Sequence, residues 1–462
     1  MRLSSYTIFV PLERTGGTVL VHGISGAVDR VGGDWARNMR AMRWDLFSEQ
    51  DLAYMMRRGY ITRKTVAEER ETALRIGRRL RDRAAHSASF ILVPTLGCNL
   101  GCAYCFQNFL RAGGAASPSL STEMADAAFR AMAALQKRRG ARVSRILLFG
   151  GEPLLAANRP VLEHVFRRGM ELGYRFDAVT NGTELHHFRG WLGPGRLESV
   201  QITLDGPPEV HDRQRRTPDG RGTYWRIKRN VDLALAQGVR VSLRVNAGWE
   251  SLGSVPDLVA EFDRYGWLGH GLFAAYCAPI RGEGGQGESA RLQRAVIRLV
   301  REVNAVYRPR FGRDVLAVAG GALRRKVAHL LGERLLAALT PAYCGAHLNM
   351  FVLAADGGVY TCWEAIGVPG GRVGRFWPEL ELDEDRLGRW LERHGLSIPA
   401  CQTCRYVFFC SGGCGIRALQ RGDGFDSAFC DGFAELFRCH VEQAVALRDD
   451  LSGVPVHREL GY

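Results

Sequence analysis

No apolar run in this 462-residue chain approaches the roughly 20 residues of a membrane span, so the sequence points away from a transmembrane protein. Its first residues, MRLSSYTIFVPLERTGG, hold too short an apolar stretch for a signal peptide and read as a strand and a turn, which makes the cytoplasm the expected location. Lysine is scarce, at positions 64, 137, 228 and 326 only, so arginine carries nearly all the basic charge. The net charge of +14 raises the question of nucleic acid, yet no compact stripe of basic residues interleaved with aromatics is present. An arginine bias spread along the whole chain looks like codon usage rather than a phosphate tract. The charge therefore implies no more than a weak attraction to acidic partners. Internal repeats and long low-complexity tracts are missing too.

Cysteine is absent from residues 1–86 and clustered after them. The 12 cysteines fall at 98, 102 and 105, at a lone 277, and at eight positions between 344 and 439. Without an export signal this clustering indicates metal or redox chemistry, not a disulfide scaffold. A content of 46% hydrophobic and 24% charged residues describes a globular chain, and the length predicts two to four domains.

Residues 6–12 and 17–23 read as two short strands joined by the turn ERTGG. Ser48 followed by Asp51 opens a helix with a capping-box pattern that closes at Gly59, and TVAEERETALRIGRRLRDRAA gives a charged connector helix. Together these form a small N-terminal module of winged-helix type over residues 1–86. From 87 to 280 apolar β-rich runs at 89–95, 145–151, 175–182, 199–206, 240–247 and 271–279 alternate with helical stretches at 121–137, 159–171, 223–236 and 254–263. Such alternation predicts an α/β fold with a parallel sheet covered by helices, here a partial (β/α)6 barrel of the TIM type. Chemistry in such barrels gathers at the C-terminal strand ends, which here read GCN, GGEP, TNGT, LDGP and VNAG. Residues 281–343 read as a loop, RGEGGQGESA, followed by a helical insert; 344–440 form a cysteine-rich extension and 441–462 a helical tail.

A closed zinc site takes four ligands, usually from two CxxC pairs. Cys98, Cys102 and Cys105 supply three from one segment and leave a position open. Three thiolates with an open position fit a 4Fe–4S cluster with one iron free to chelate an amino-acid-like ligand through its amine and carboxylate. The glycines of FGGEPLL let a small molecule approach the backbone, and Glu152 offers a carboxylate for a ligand ammonium. Asn181 and Thr203 add short polar groups on the same rim.

The CxxxCxxC spacing, with Tyr104 before its last cysteine and GGEP one βα unit later, resembles the radical S-adenosylmethionine (SAM) superfamily. That resemblance implies a 4Fe–4S cluster on Cys98, Cys102 and Cys105 with SAM on its free iron. It further implies that Gly150, Gly151 and Glu152 contact the SAM amino group, and Thr203 and Asn181 its sugar or nearby groups. HDRQRR, residues 211–216, is similar to the family's HDxxR stretch and makes Arg215 the candidate partner of the SAM carboxylate.

The pattern Cx12Gx4C, then Cx2Cx5Cx3C and a final C, resembles the SPASM extension of radical SAM peptide maturases. The analogy implies two auxiliary 4Fe–4S clusters, for three in all. Cys401, Cys404, Cys410 and Cys430 would hold one; Cys344, Cys362 and Cys414 the other, with Cys439 or a substrate thiolate as its fourth ligand. Cys277 reads as a small buried hydrophobe and Asp205 as part of an Asp-Gly-Pro turn.

The expected activity is hydrogen abstraction from a precursor peptide to install a crosslink or other oxidative change, with electrons from an external donor such as flavodoxin or ferredoxin. The N-terminal module resembles a PqqD-like element that binds a leader peptide as an added strand, and equally reads as a structural cap. Alternatives are an anaerobic sulfatase-maturating enzyme, whose catalytic Asp is replaced here by Trp363 and Glu364 after Cys362, and a non-catalytic iron–sulfur electron carrier.

Overall fold

A computed structural model of the chain describes residues 1–12, 16–111, 117–280, 286–332, 335–430 and 432–452. Two compact units emerge: Met1–Ala85 with Gly320–Leu348 and the chain from Glu392 onward, and His86–Ala319 with Asn349–Leu391.

In the first unit, β1 (Arg2–Leu3) pairs antiparallel with β5 (Ile61–Thr62), and β2 (Thr7–Pro11), β3 (Thr18–His22) and β4 (Val28–Val31) form an antiparallel sheet in that order. The sequence reading foresaw β2 and β3 but not β4, whose four residues include the charged pair Asp29 and Arg30. Side chains alternate across a strand, and both faces of this sheet are used. Ile8, Val10, Val19 and Val21 pack with Val327, Leu330, Phe408 and Phe437. Phe9, Leu20 and Val31 pack on the other side with Trp35, Met39 and Met55. Residues 1–85 thus share a core with the segments after 320 and 392. The Ser48 capping box is present, Asp51 completing it, and Gly59 ends the helix Glu49–Arg58 at φ +90°. Helix Phe433–Ser452 covers the start of the expected tail; residues 453–462 lie outside the described residues.

The second unit is built on one sheet. β6 (Ser89–Val93), β7 (Arg145–Leu148), β8 (Arg175–Thr180), β9 (Leu197–Thr203), β10 (Arg240–Ala247) and β11 (Phe273–Pro279) are parallel neighbours, matching the six expected runs. Two further parallel strands flank them. β12 (Leu316–Val318) lies beside β11 and comes from the segment read as a helical insert; β13 (Met350–Ala354) lies beside β6. β14 (Gly358–Tyr360), β15 (Arg372–Arg375) and β16 (Glu381–Leu382) continue the sheet antiparallel. The stretch read as a loop at 281–290 already turns helical at Gln286, in a helix that runs to Phe311; residues 281–285 lie outside the described residues.

β6 is a nearly continuous buried apolar run, whereas β8, β9 and β10 alternate buried apolar residues with partly exposed ones such as Asp177, Gln201 and Arg244; helices cover the apolar positions. Helix Thr122–Arg139 shows how: Ala125, Ala128, Phe129, Met132 and Leu135 recur at helical spacing and are buried. Burial of Phe129, Met132 and Leu135 contributes roughly 1.5–3 kcal/mol apiece. Ser121 caps that helix by accepting from the Met124 amide, and Gly140 ends it at φ +59°. Among the described residues no helix is long and apolar enough to cross a membrane.

Candidate active site at the strand ends

Parallel strands place all their C-terminal ends on one edge of the sheet, and the expected site residues follow those ends. The cysteine loop leaves β6. It is tied down on one flank by the Leu96 amide to the Pro118 carbonyl (3.0 Å) and by Thr95 Oγ1 to Ser119 Oγ (2.8 Å). At its centre the Gly101 amide donates to the Arg216 carbonyl (2.9 Å), and the Cys105 amide to the Cys102 carbonyl (3.2 Å). Cys102 is buried; Cys98 and Cys105 are partly exposed.

The turn after β7 is stitched to the start of this loop. Gly151 N donates to Thr95 O (3.2 Å) and Glu152 N to Gly97 O (2.8 Å). Gly150 stands at φ +151°, where a Cβ would meet the Thr95 carbonyl, and a Cβ on Gly151 would collide with the carbonyls of Leu96 and Gly97. The two glycines therefore serve first to let the cysteine-loop backbone come close. Among the described residues no hydrogen bond ends on the carbonyl oxygens of Gly150, Gly151 or Glu152.

Glu152 is buried, and its carboxylate accepts from Thr180 Oγ1 (2.6 Å), Asn181 N (2.6 Å) and Leu154 N (2.9 Å). Burial pushes its pKa up to about 7 against the pull of those three donors. The carboxylate thus locks the end of β7 to the end of β8. Asn181 reaches back to the cysteine loop, its Nδ2 2.8 Å from Asn99 Oδ1 and 3.9 Å from Cys98 Sγ. Asn99 in turn donates to Thr183 Oγ1 (2.9 Å) and Glu184 Oε1 (3.0 Å).

A second network joins the cysteine loop to β9 and β10. The Tyr104 hydroxyl donates to Asp205, accepts from an Arg215 guanidinium nitrogen (2.8 Å) and from Asn246 Nδ2 (3.2 Å). Asn246 also donates to Asp205 Oδ1 through its amide nitrogen (2.9 Å) and its side chain (3.1 Å). Burial raises Tyr104 well above its ordinary range, with Asp205 adding to it. For Arg215 burial opposes the charge, but Tyr104, Cys102 and Asp205 outweigh it and hold the guanidinium protonated. Its Nε is buried and makes no hydrogen bond among the described residues. Of the HDRQRR stretch only Arg215 joins this network. His211 instead accepts from the Asp205 amide (3.2 Å), and Asp212 Oδ1 caps the next helix at Thr223 N (2.7 Å). Asp205, read as a turn residue, is the buried hub; the polar strand ends LDGP and VNAG were the available signal for it and for Asn246. Thr203 sits buried at the end of β9, in register with Arg244. Cys277 is fully buried in β11, where burial pushes its thiol up to about 12.

The later cysteines divide between the units. Cys344, Cys401, Cys404, Cys410, Cys414, Cys430 and Cys439 belong to the first, Cys362 to the second. Burial comes first in raising the thiols of Cys401 (about 11), Cys410 (about 12) and Cys430, and the neighbouring cysteines of the same set add to it. Arg393, 2% exposed, donates to the carbonyls of Phe425 (2.6 Å), Gly413 (2.7 Å) and Ser427 (2.7 Å), fixing the loops between these cysteines. Cys439 is buried within helix Phe433–Ser452. Trp363, after Cys362, lies 5.1 Å from the Phe149 ring, centroid to centroid. Among the described residues no group of three or more His, Cys, Asp or Glu side chains stands ready-made as a metal-ion site.

Residues 92–248 match the sequence model of the Radical SAM superfamily. The chain is 22% identical over 398 residues to the serine-type anaerobic sulfatase-maturating enzyme of Bacteroides thetaiotaomicron, covering 76% of this chain and 89% of that protein. Its fold is similar to native anSMEcpe with bound AdoMet and Cp18Cys peptide (18% identity, 79% of this chain and 100% of that chain, TM-score 0.57). It is also similar to Streptococcus suis SuiB bound to precursor peptide SuiA (14% identity, 92% and 98%, TM-score 0.51). A domain of this family implies SAM and a 4Fe–4S cluster as cofactors. With a three-cysteine loop and a glycine turn locked together at the strand ends of the matched segment, residues 92–248 are a radical SAM domain and the chain is a radical SAM enzyme.

Proposed function

We propose that this chain is a radical SAM peptide maturase, which removes hydrogen from a precursor peptide and installs a crosslink or other oxidative modification. When bound, SAM and a 4Fe–4S cluster on Cys98, Cys102 and Cys105 supply a 5′-deoxyadenosyl radical, given one electron from an external donor such as flavodoxin or ferredoxin. The residues present fit that pair. Three cysteines of one loop leave a coordination position open, and the carbonyls of Gly150, Gly151 and Glu152 are free to accept from an ammonium. Arg215 Nε, 3.9 Å from Asp205 Oδ2 and making no hydrogen bond among the described residues, has a donor left for a carboxylate. Tyr104, Asn181 and Thr203 would line the remainder of the SAM site. The observation that carries the assignment is the stitching of Gly151 and Glu152 to the cysteine loop, which sets both halves of that site in one geometry.

We assign Cys401, Cys404, Cys410 and Cys430 to one auxiliary 4Fe–4S cluster, and Cys344, Cys362 and Cys414 to a second. A peptide substrate is supported by the likeness to SuiB, solved with its precursor peptide, over 92% of this chain. The sheet β2–β3–β4 is the element to which a leader segment would add as a strand; its outer strands are largely buried here, so such addition would first uncover an edge.

Anaerobic reconstitution with SAM, a reductant and a peptide from a short reading frame beside the gene tests the proposal. The expected products are 5′-deoxyadenosine and a peptide that has lost hydrogen; absence of 5′-deoxyadenosine under every condition overturns it. The sulfatase-maturating relative favours a second reading, oxidation of a serine or cysteine to formylglycine, and a product that reacts with a hydrazide would establish that one.

A further inference from the structure

A cleft of about 490 Å³ opens between the segment after β10 and the helix Gln286–Phe311. Trp249 and Leu252 line one wall; Arg291, Arg294 and Arg298 line the other, with Glu302 at its end. Spacings of three and four along a helix put the three arginines on one face, and all three are exposed. Arg291 and Arg298 make no ion pair among the described residues. The large indole of Trp249 is 43% exposed. The cleft begins three residues beyond Asn246, whose side chain bonds Tyr104 of the cysteine loop, so it opens on the strand-end edge that carries the candidate active site.

Arg291 and Arg298, without an ion pair among the described residues, outweigh the one carboxylate of Glu302 and leave the cleft cationic, and guanidinium forks match carboxylates in paired hydrogen bonds. The tryptophan supplies a flat apolar wall of the kind that anchors a large side chain. A nucleic-acid strand fits less well: its backbone needs a continuing basic track, and Glu302 closes this one. We infer that this cleft holds an acidic stretch of the peptide substrate, in which Asp or Glu residues flank a large apolar side chain. The inference rests on the peptide reading above and names the character of the substrate beside the modified residue.

The test is fluorescence anisotropy of the full-length, cluster-loaded protein with the labelled hexapeptide Glu-Glu-Leu-Glu-Glu-Leu and its Gln-for-Glu counterpart. The acidic peptide should bind at least about tenfold more tightly than the neutral one. The triple variant R291Q/R294Q/R298Q should lose about tenfold or more in that affinity. A second triple variant, R130Q/K137Q/R167Q, removes the same charge from exposed positions on other helices and should change affinity by less than about twofold. Equal losses in the two variants would reduce the effect to overall charge and overturn the inference. So would the absence of any preference for Glu, or displacement of the acidic peptide by an oligo-dT strand at lower concentration. No radical step is read, so failure of peptide modification and failure of this binding remain separate results.

Discussion

The guanidinium of Arg215 stands 2.8 Å from the Tyr104 hydroxyl and ties the segment after β9 to the loop that bears Cys102 and Cys105. Behind both lies Asp205, fully buried, so the three form a closed arrangement of one cation, one anion and one hydroxyl. Removing the cation leaves a carboxylate stranded in the interior. Arg215→Met is expected to lower stability by about 3–5 kcal/mol, and Tyr104→Phe by about 1–3 kcal/mol, in anaerobic urea denaturation. Equal and small losses for both would show that Asp205 is solvated.

Glu152 makes stability depend on pH in a stated direction. Its carboxyl titrates near 4.5 in an unfolded chain and is pushed up to about 7 by burial in the fold. The folded state therefore holds this proton more tightly, so the contribution is complete below about pH 4.5 and is lost as pH rises through about 7, on the order of 3 kcal/mol. Glu152→Gln cannot ionise. Measured against the parent chain by denaturation, E152Q should gain in relative stability between about pH 5 and pH 8. A difference that stays flat over that window would count against the buried carboxyl.

Gly151→Ala places a methyl group against the carbonyls of Leu96 and Gly97. Because those atoms are backbone, the cysteine loop itself has to move. The expected outcome is loss of roughly four iron atoms per chain after reconstitution, with the iron bound by the later cysteines retained. Iron and protein assays read this without reference to turnover, and full iron retention would show that the loop tolerates displacement.

Arg393 satisfies buried backbone carbonyls on both sides of Cys414. Substitution by Leu leaves them without donors at a cost of about 3–5 kcal/mol, and a single ammonium in Arg393→Lys recovers less than half of it. Denaturation of the two variants checks both numbers.

Much of this was legible beforehand. Six strands of the parallel sheet stand out as β-rich runs with apolar residues at least at every second position, and five of them lead into segments holding Gly, Asn or Asp; the Ser48–Asp51 box and Gly59 mark a helix by side chains that act locally. What escaped notice depends on distant partners. β4 and β12 are short and find their pairing only against β3 and β11. The helix at Gln286 starts in a glycine-rich stretch that reads as a loop. The glycines of GGEP were expected to admit a ligand, and they first admit the Thr95–Gly97 backbone. Asp205 and Asn246 gave only the signal of polar strand ends, and no local pattern says that both will converge on Tyr104.

The pairing of β13 with β6 bears on how the protein is made. Met350–Ala354 hydrogen-bonds along Ser89–Val93, the strand that delivers Cys98, Cys102 and Cys105. During synthesis that strand therefore waits with one side open until residue 354 has left the ribosome, and pairing between segments so far apart in sequence closes late. A chain cut before residue 350 would present the open side as a template for aggregation instead of yielding a smaller working enzyme.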